Sequence, residues 1–349
     1  MTSKLWSRGL ATLAIAWAAV AVLSTAVARA EEWGPIEIAR QTIQPGEKRK
    51  FTYLGKRSFE GGFVDFRVYV ARGSRPGPSL CVTSAIHGDE VNSIEIARRT
   101  FANVDPSQLG GTLIVLPAIN SSGFRTLNRY MPDRRDLNRF FPGSDGGSIA
   151  AIVANEVFNG VVRHCTHLVD LHTGSNLRAN MPQIRVDPTI PEAAALAREF
   201  GVGVVIEGAG PEGSLRREAC KVGIAAIIYE AGPPQVFLEP EIERGVQGVR
   251  NIMAHLRMIS TKENRSRSTL LARSVWQRVP LDQGGIYLPV VSLGDKVKTG
   301  QLLGTIADPV TDVVHPIVAQ ETGIVIGMAL PQIVLSGYGL FHIGEVAHR

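Results

Sequence analysis

The sequence predicts an α/β fold, with a mostly parallel mixed sheet covered by helices on both faces and a small C-terminal all-β, barrel-like domain. Between residues 80 and 259, apolar runs typical of buried strands alternate with segments of helical period. From residue 271 onward, short β-branched runs spaced by Gly and Pro replace this alternation. Alternating strands and helices favour parallel strands, because each crossover lays a helix on one face of the sheet.

Strands are predicted from short apolar runs, and helices from apolar residues that recur every three or four positions. Val91, Ile94 and Ala97 give one segment this helical period, and Pro191 suits a first helical turn. The predicted strands span residues 50–54, 63–71, 80–86, 112–119, 167–172, 181–186, 202–206 and 224–230. The predicted helices span residues 90–101, 148–165, 191–200, a short segment from residue 214, and 240–259.

Residues 120–147 form a Ser-, Asn-, Gly- and Arg-rich loop between a predicted strand and a predicted helix. This loop is much longer than the usual connection in a compact domain, and long ordered loops commonly carry function. We therefore expect it to contribute to a binding or catalytic site.

Shifts in composition predict the domain organisation. Its five segments are a leader at residues 1–30, an N-terminal extension of short β pieces at 31–62, an α/β domain that carries the chemistry at 63–260, a polar linker at 261–270 and a C-terminal β-domain at 271–349.

The first thirty residues have the pattern of a secretory signal peptide. Lys4 and Arg8 precede an almost wholly apolar run over residues 9–23, and Ala28-Arg29-Ala30 fits a small-x-small cleavage site. The run is short of the roughly 20 residues that span a bilayer, which favours cleavage over an uncleaved anchor. We expect an exported protein, periplasmic or secreted, that is cleaved after Ala30 and has no stable membrane insertion.

The charge balance gives no reason to infer a nucleic-acid partner. The chain has 37 basic and 32 acidic residues, but three of the basic ones, Lys4, Arg8 and Arg29, lie in the leader. The remaining 34 basic residues nearly balance the 32 acidic ones. With 44% hydrophobic and 20% charged residues, the chain is typical of a packed globular protein without a nucleic-acid partner.

The three cysteines, Cys81, Cys165 and Cys220, are widely spaced and odd in number, which is not the pattern of a disulfide framework. Cys81 lies in a predicted strand, where we expect a small buried apolar residue. Whether two of the three form a disulfide in an oxidising compartment, and which two, stays open.

Reactive residues follow several of the predicted strands. His87 and Glu90 follow one strand, and His172 and Glu230 end two others. The carboxyl ends of strands in an open α/β sheet form its ligand site, so these side chains should gather. Two histidines and a carboxylate suit catalytic zinc, and a further glutamate could act as general base. Asp170, two residues before His172, is a candidate to orient that histidine.

Four short motifs, taken in chain order, resemble those of a known family. They are His87-Gly88-Asp89-Glu90, Asp136-Leu137-Asn138-Arg139, Asp170-Leu171-His172-Thr173-Gly174 and Tyr229-Glu230-Ala231-Gly232. The sequence resembles the succinylglutamate desuccinylase/aspartoacylase family, a branch of the zinc carboxypeptidase superfamily, over roughly residues 63–349. Four motifs in the order found in the family are specific evidence for the resemblance, whereas the first motif alone would be weak evidence.

The resemblance implies one zinc ion per chain, held by His87, Glu90 and His172, with Glu230 as the general base. It also implies that Asn138 and Arg139 hold a carboxylate of the substrate, a task that suits the planar guanidinium.

An upstream arginine polarises the scissile carbonyl in this family. Arg129 is the best match, although Arg134 and Arg135 lie nearer to the Asn-Arg pair.

The C-terminal segment resembles a biotinyl/lipoyl-type barrel, but its hairpin over residues 321–325 lacks the lysine that carriers modify. The resemblance therefore implies a cover over the active-site mouth. It can also imply a tyrosine that reaches the substrate, for which Tyr287 and Tyr338 are the candidates.

These observations favour an exported zinc-dependent amide hydrolase that acts on a carboxylate-bearing N-acyl amino acid or short peptide. Export also admits a carboxypeptidase or amidase that acts on peptides or cell-wall fragments. A third hypothesis, from another class, is a zinc-dependent binding protein without turnover. The acyl group, the amine and the oligomeric state are not determined by the sequence.

Overall fold

The computed structural model describes residues 33–57, 63–261 and 269–347. All of them lie in one compact unit, Trp33–Arg349. The predicted signal peptide and most of the predicted linker fall outside the described residues. No helix in the described part of the chain is long and apolar enough to cross a membrane.

The described chain contains eighteen strands. In order they are β1 (Ile36–Ile38), β2 (Gln41–Ile43), β3 (Lys48–Arg57), β4 (Phe63–Arg72), β5 (Arg75–Ser84), β6 (Gly110–Leu116), β7 (His167–His172), β8 (Arg178–Val186), β9 (Val204–Glu207), β10 (Ala225–Gly232), β11 (Thr269–Arg278), β12 (Gly285–Pro289), β13 (Lys296–Val297), β14 (Leu302–Ala307), β15 (Val314–Val318), β16 (Gly323–Ala329), β17 (Gln332–Val334) and β18 (Gly339–Val346).

The helices of the described chain are α1 (Val91–Ala102), α2 (Ser121–Thr126), α3 (Ile149–Gly160), α4 (Pro191–Phe200), α5 (Leu215–Lys221) and α6 (Glu239–His255). The long predicted loop is thus not wholly irregular, because it contains α2 and a 3-10 turn at Leu137–Arg139. Asn120 begins α2, since its side-chain oxygen accepts a hydrogen bond from the Gly123 backbone N–H at 2.8 Å.

A twelve-stranded sheet in the order β13-β16-β18-β11-β9-β8-β10-β7-β5-β6-β4-β3 is the centre of the molecule. The predicted α/β class is confirmed. The strand pairs β6–β5, β5–β7, β7–β10, β8–β9 and β9–β11 are parallel, and the other pairs in this sheet are antiparallel. β8 runs antiparallel to β10. Only residues 173–177 separate β7 from β8, too few for the crossover that a parallel partner needs.

Helices cover both faces of this sheet. On one face α1, α4 and α6 pack through buried residues such as Ile96, Leu196 and Ile252. On the other face α3 and α5 pack through residues such as Val157 and Leu215. Each helix presents one apolar stripe to the sheet, which is why the helical period was readable in the sequence.

The C-terminal strands are continuous with the main sheet. Thr269 and Leu270 of β11 pair in parallel with Val204 and Val205 of β9, and β16 pairs with β8. A second, four-stranded sheet in the order β15-β14-β12-β17 packs on these strands around its own apolar core, which includes Tyr287.

Cys81 and Cys165 form a disulfide that ties β5 to the segment after α3. The expectation for Cys81 was therefore incomplete. The residue is fully buried, as expected, but its sulfur is bonded and not a free apolar thiol. Cys220 is a free, partly buried cysteine.

Candidate active site

Two strand ends deliver the histidines. β5 ends at Ser84, and Ala85 turns the chain at φ 47° before His87. Gly88 lets this turn pass close to α2, because a Cβ here would lie 2.0 Å from the Gly123 carbonyl carbon. His172 is the last residue of β7, and Glu230 is its register partner on β10. Parallel pairing therefore brings the ends of these strands together, as the sequence predicted.

His87, Glu90 and His172 form a buried cluster whose ligand atoms all lie within 4.8 Å of one another. The His87 Nδ1 is 2.7 Å from Glu90 Oε1, and the His172 Nδ1 is 2.8 Å from Glu90 Oε2. The Glu90 side chain is 1% exposed. Both imidazoles thus present the same ring nitrogen to one carboxylate.

The other ring nitrogen of each histidine faces an aspartate. His87 Nε2 is 3.1 Å from Asp136 Oδ1, and His172 Nε2 is 3.0 Å from Asp170 Oδ2. A carboxylate at Nε2 holds the proton there and leaves the Nδ1 lone pair free. Asp170 therefore lies where a partner for His172 was expected. Asp136 begins the motif that contains Asn138 and Arg139, but its contact with His87 was not expected.

These residues fit a zinc-type ion. Two imidazole nitrogens and a carboxylate converge, and outer carboxylates fix both rings, which is how catalytic zinc sites are built. Burial by itself would raise the pKa of Glu90, but His87 and His172 lower it to about 2. Burial would lower the pKa of His172, yet Asp170 and Glu90 raise it well above its usual value. The cluster thus favours positive charge between its ligand atoms.

Glu230 lies beside this cluster and is held by two residues of β8. Asn180 Nδ2 donates a hydrogen bond to Glu230 Oε2, and Arg185 Nε is 2.7 Å from Glu230 Oε1. Neither partner was predicted. The sequence carries no local signal for them, because they reach Glu230 only through the antiparallel pairing of β8 with β10.

Arg129 lies next to the metal-ligand candidates. Its Nη2 donates to Asp136 Oδ2 at 2.8 Å, and its Nη1 is 3.8 Å from Glu90 Oε1. The two competing arginines lie elsewhere, since neither lines the cavity of the cluster. Arg134 borders a separate surface cavity, and Arg135 pairs with Asp133.

Asn138 and Arg139 lie in the 3-10 turn beside the start of α5. Asn138 Oδ1 accepts a hydrogen bond from the Leu215 backbone N–H at 2.8 Å, so the carbonyl oxygen of its side-chain amide stabilises the fold. Arg139 Nη1 donates to the Asn138 carbonyl oxygen at 2.6 Å. No carboxylate in the described part of the chain pairs with Arg139.

One open cavity of about 360 Å³ collects all seven predicted site residues. They are His87, Glu90, Arg129, Asn138, Arg139, His172 and Glu230. Their roles in a reaction stay predictions, but their convergence is a property of the fold. The cavity is also lined by charged and aromatic residues that were not predicted: Arg178, Arg185, Glu207, Arg216 and Trp276.

The two tyrosine candidates do not line this cavity. Tyr287 is fully buried in the core of the C-terminal strands. Tyr338 borders a neighbouring cavity, and its hydroxyl donates to the Asn176 carbonyl oxygen. The aromatic residue that reaches the site from the C-terminal strands is instead Trp276 of β11.

Comparison with known proteins places this geometry in a family. Residues 76–256 match the family model described as the succinylglutamate desuccinylase/aspartoacylase catalytic domain. A curated relative, the N-alpha-acetyl-L-2,4-diaminobutyric acid deacetylase of Halomonas elongata, is 23% identical over 283 residues, which cover 77% of this chain and 83% of the relative.

Solved structures share the fold. A succinylglutamate desuccinylase/aspartoacylase from Rhodobacter sphaeroides superposes with a TM-score of 0.79 at 21% identity, over 86% of this chain and 96% of that one. The product-bound ectoine utilization protein EutE (DoeB) from Ruegeria pomeroyi superposes with a TM-score of 0.77 at 21% identity, over 87% of this chain and 97% of that one.

Proposed function

Because the chain belongs to the succinylglutamate desuccinylase/aspartoacylase family, we propose that it is a zinc-dependent amide hydrolase that deacylates a carboxylate-bearing N-acyl amino acid or short peptide. The observation that carries this proposal is the convergence of His87, Glu90 and His172 beside Glu230 in one open cavity. A degenerate binding protein would have no need to keep both the ligand set and the base.

Zinc held by His87, Glu90 and His172 would acidify a water molecule and polarise the scissile carbonyl. Glu230 takes one proton from the attacking water as the water oxygen bonds to the carbonyl carbon. It returns the proton to the amide nitrogen as the C–N bond breaks, which yields a carboxylic acid and a free amine. Asn180 and Arg185 hold the Glu230 carboxylate in place during both transfers.

Arg129 and Arg139 take the two oxygen-bearing groups of the substrate. Arg129 Nη1 lies 3.8 Å from Oε1 of the ligand candidate Glu90, and it donates to the carbonyl oxygen, where negative charge develops. Arg139 lacks a carboxylate partner among the described residues, so its guanidinium is available for the carboxylate of the substrate. Asn138 keeps its amide N–H groups for the same ligand, because Oδ1 is already used by Leu215.

The relatives support small substrates of this kind. The relative from Halomonas elongata is a deacetylase of an N-acetylated amino acid, and the one from Ruegeria pomeroyi is an ectoine utilization protein. A short N-acylated amino acid is also a fair match to a cavity of about 360 Å³.

The test is a hydrolysis screen with the zinc-loaded mature chain. The panel contains N-acetyl and N-succinyl amino acids, short peptides and cell-wall fragments, with the free amine as readout. We expect turnover of at least one N-acyl amino acid, a loss of about 10³-fold or more in Glu230→Gln, and loss of activity with a chelator. Turnover of peptides or cell-wall fragments alone would favour the carboxypeptidase or amidase alternative. Stoichiometric zinc without any turnover would favour the binding protein.

We also propose that the protein is exported and cleaved after Ala30. The disulfide between Cys81 and Cys165 supports this, because such bonds persist mainly in oxidising compartments. Fractionation of cells followed by N-terminal sequencing tests it. A mature chain that begins at Glu31 outside the cytoplasm is the expected result, and an uncleaved chain in the cytoplasm would contradict it.

A further inference from the structure

The four-stranded sheet β15-β14-β12-β17 is apolar on both of its faces. Its inner face packs into the core of the C-terminal strands through Tyr287, Ile306 and Ile317. On β12, Ile286 and Leu288 flank the buried Tyr287, point away from that core and are exposed. An antiparallel sheet with one face in water normally alternates apolar and polar residues. The apolar run of β12 is instead typical of a strand that is covered on both faces.

The strand register shows that the outer face is continuous across all four strands. Ile286 has Ala307 of β14 and Ile333 of β17 as its register partners, and Ala307 in turn pairs with Val314 of β15. Register partners lie side by side on one face of a sheet. The residues on the outward side, which we call the outer apolar face, are Ile333 on β17, Ile286 and Leu288 on β12, Leu302, Thr305 and Ala307 on β14, and Val314, Pro316 and Val318 on β15.

The outer apolar face is large and uncharged. None of its residues carries a charge, and Thr305 alone among them has a polar side chain. Leu288 is 53% exposed, Val314 57% and Ile333 65%. Together the residues of this face expose about 600 Å², whereas a monomer rarely exposes one apolar patch larger than a few hundred Å². A surface of this size and composition marks an interface with another molecule.

The edges of this sheet do not suit association through backbone pairing. β15, at one edge, has Pro316 at its centre, and proline offers no N–H to a further strand. β17, at the other edge, has three residues, and such short edge strands give a partner little to pair with. The surface that a partner covers is therefore the face of the sheet.

The properties of this face fit a second copy of the chain. A two-fold axis brings the same surface of both copies together, so a charge near its centre would meet the same charge on the other copy. The outer apolar face avoids this repulsion because it has no charge. Its area, together with a surrounding rim, also approaches the roughly 800 Å² per partner of a stable interface. Two such sheets can pack about 10 Å apart with their side chains interdigitated.

We propose that two copies of this chain form a dimer in which their outer apolar faces pack against each other as the two layers of a β-sandwich. None of the residues of this face lines the active-site cavity, so this inference is independent of the proposed function.

The experiment is sedimentation equilibrium of the full mature chain in the analytical ultracentrifuge. We expect the dimer to predominate at about 50 µM. Leu288→Lys and Val314→Lys each place a charge on the face and opposite its own copy. Each should weaken dimerisation by about 100-fold or more. Far-UV circular dichroism and zinc content should stay those of the parent, because both positions are exposed.

Leu54→Lys is the matched control. Leu54 is 55% exposed, much like Leu288, but it lies on β3 at the far edge of the twelve-stranded sheet. This variant should dimerise as the parent does. Hydroxyl-radical footprinting then locates the interface, since oxidation of Leu288 and Ile333 should decrease at concentrations that favour the dimer while oxidation of Leu54 stays constant.

Three results would overturn the proposal. The first is a parent chain that is monomeric at about 100 µM, which would leave the outer apolar face to a different partner. The second is a dimer that both Leu288→Lys and Val314→Lys leave intact. The third is a dimer in which oxidation of Leu288 and Ile333 is unchanged, because the contact would then lie elsewhere on the chain.

Discussion

Asp136 accepts a hydrogen bond from His87, with Oδ1 at 3.1 Å from Nε2, on the side of the ring that faces away from Glu90. Burial alone would raise the pKa of Asp136, but His87 and Arg129 hold it well below its usual range. Asp136 therefore stays ionised and keeps the imidazole proton on Nε2. Asp170 does the same for His172, so the two metal-ligand candidates are oriented by equivalent contacts.

Replacement of Asp136 or Asp170 by Asn should weaken zinc binding by about 10–100-fold in each case, because the ring orientation and the ligand basicity are both affected. Competition with a chromogenic chelator measures the affinity. Asp145→Asn is the matched control, since this aspartate is exposed and its one ion-pair partner among the described residues is Lys56. Unchanged zinc affinity in both Asp136→Asn and Asp170→Asn would contradict the role of these contacts.

Zinc binding should depend on pH through His172. Asp170 and Glu90 raise the pKa of this histidine, so the proton that a metal must displace is held more tightly than usual. As pH falls below that pKa, protonation competes with the metal and the affinity decreases, by about tenfold per pH unit for one displaced proton. Titration calorimetry in buffers of different ionisation enthalpy measures both affinity and proton release. An affinity that is constant between about pH 6 and pH 8 would exclude this coupling.

The sequence predicted the parts of the site that lie at the ends of apolar strands. His87, His172 and Glu230 are read directly after or at the end of such strands, and parallel pairing then brings β5, β7 and β10 together. Local patterns suffice here because the edge of a parallel sheet gathers strand ends whatever the details of the loops.

The sequence did not predict the residues that reach the site across antiparallel pairs or from the C-terminal strands. Asn180 and Arg185 contact Glu230 because β8 reverses direction, and Trp276 and Tyr338 contact Arg178 from more than ninety residues further along the chain. Such contacts depend on which distant segments pair as strands, and the hydrophobic period of one segment does not determine that pairing. The same limit explains why the partnership of His87 with Asp136 was not expected.

The disulfide between Cys81 and Cys165 should contribute substantially to stability. It joins residues 84 positions apart, so it restricts a long loop of the unfolded chain, an effect worth about 2–5 kcal/mol. Cys81→Ala combined with Cys165→Ala should lower the free energy of unfolding by this amount in urea denaturation. Cys220→Ala, at the free cysteine, is the control and should cost much less. Equal stability of the double variant and the parent would show that the bond does not stabilise the native fold.

Asn138 combines a structural and a binding contact, and two substitutions separate them. Its Oδ1 accepts the Leu215 N–H at the start of α5, so Asn138→Ala leaves a buried donor without a partner and should cost about 1–3 kcal/mol of stability. Asn138→Asp keeps the acceptor oxygen but removes the amide N–H groups. We expect it to retain the melting temperature within about 2 °C and to raise KM about tenfold, because a carboxylate at this position repels the substrate carboxylate. Thermal unfolding and steady-state kinetics on the same preparations measure the two effects. If Asn138→Asp leaves KM unchanged, Asn138 serves the fold alone and Arg139 holds the substrate carboxylate without it.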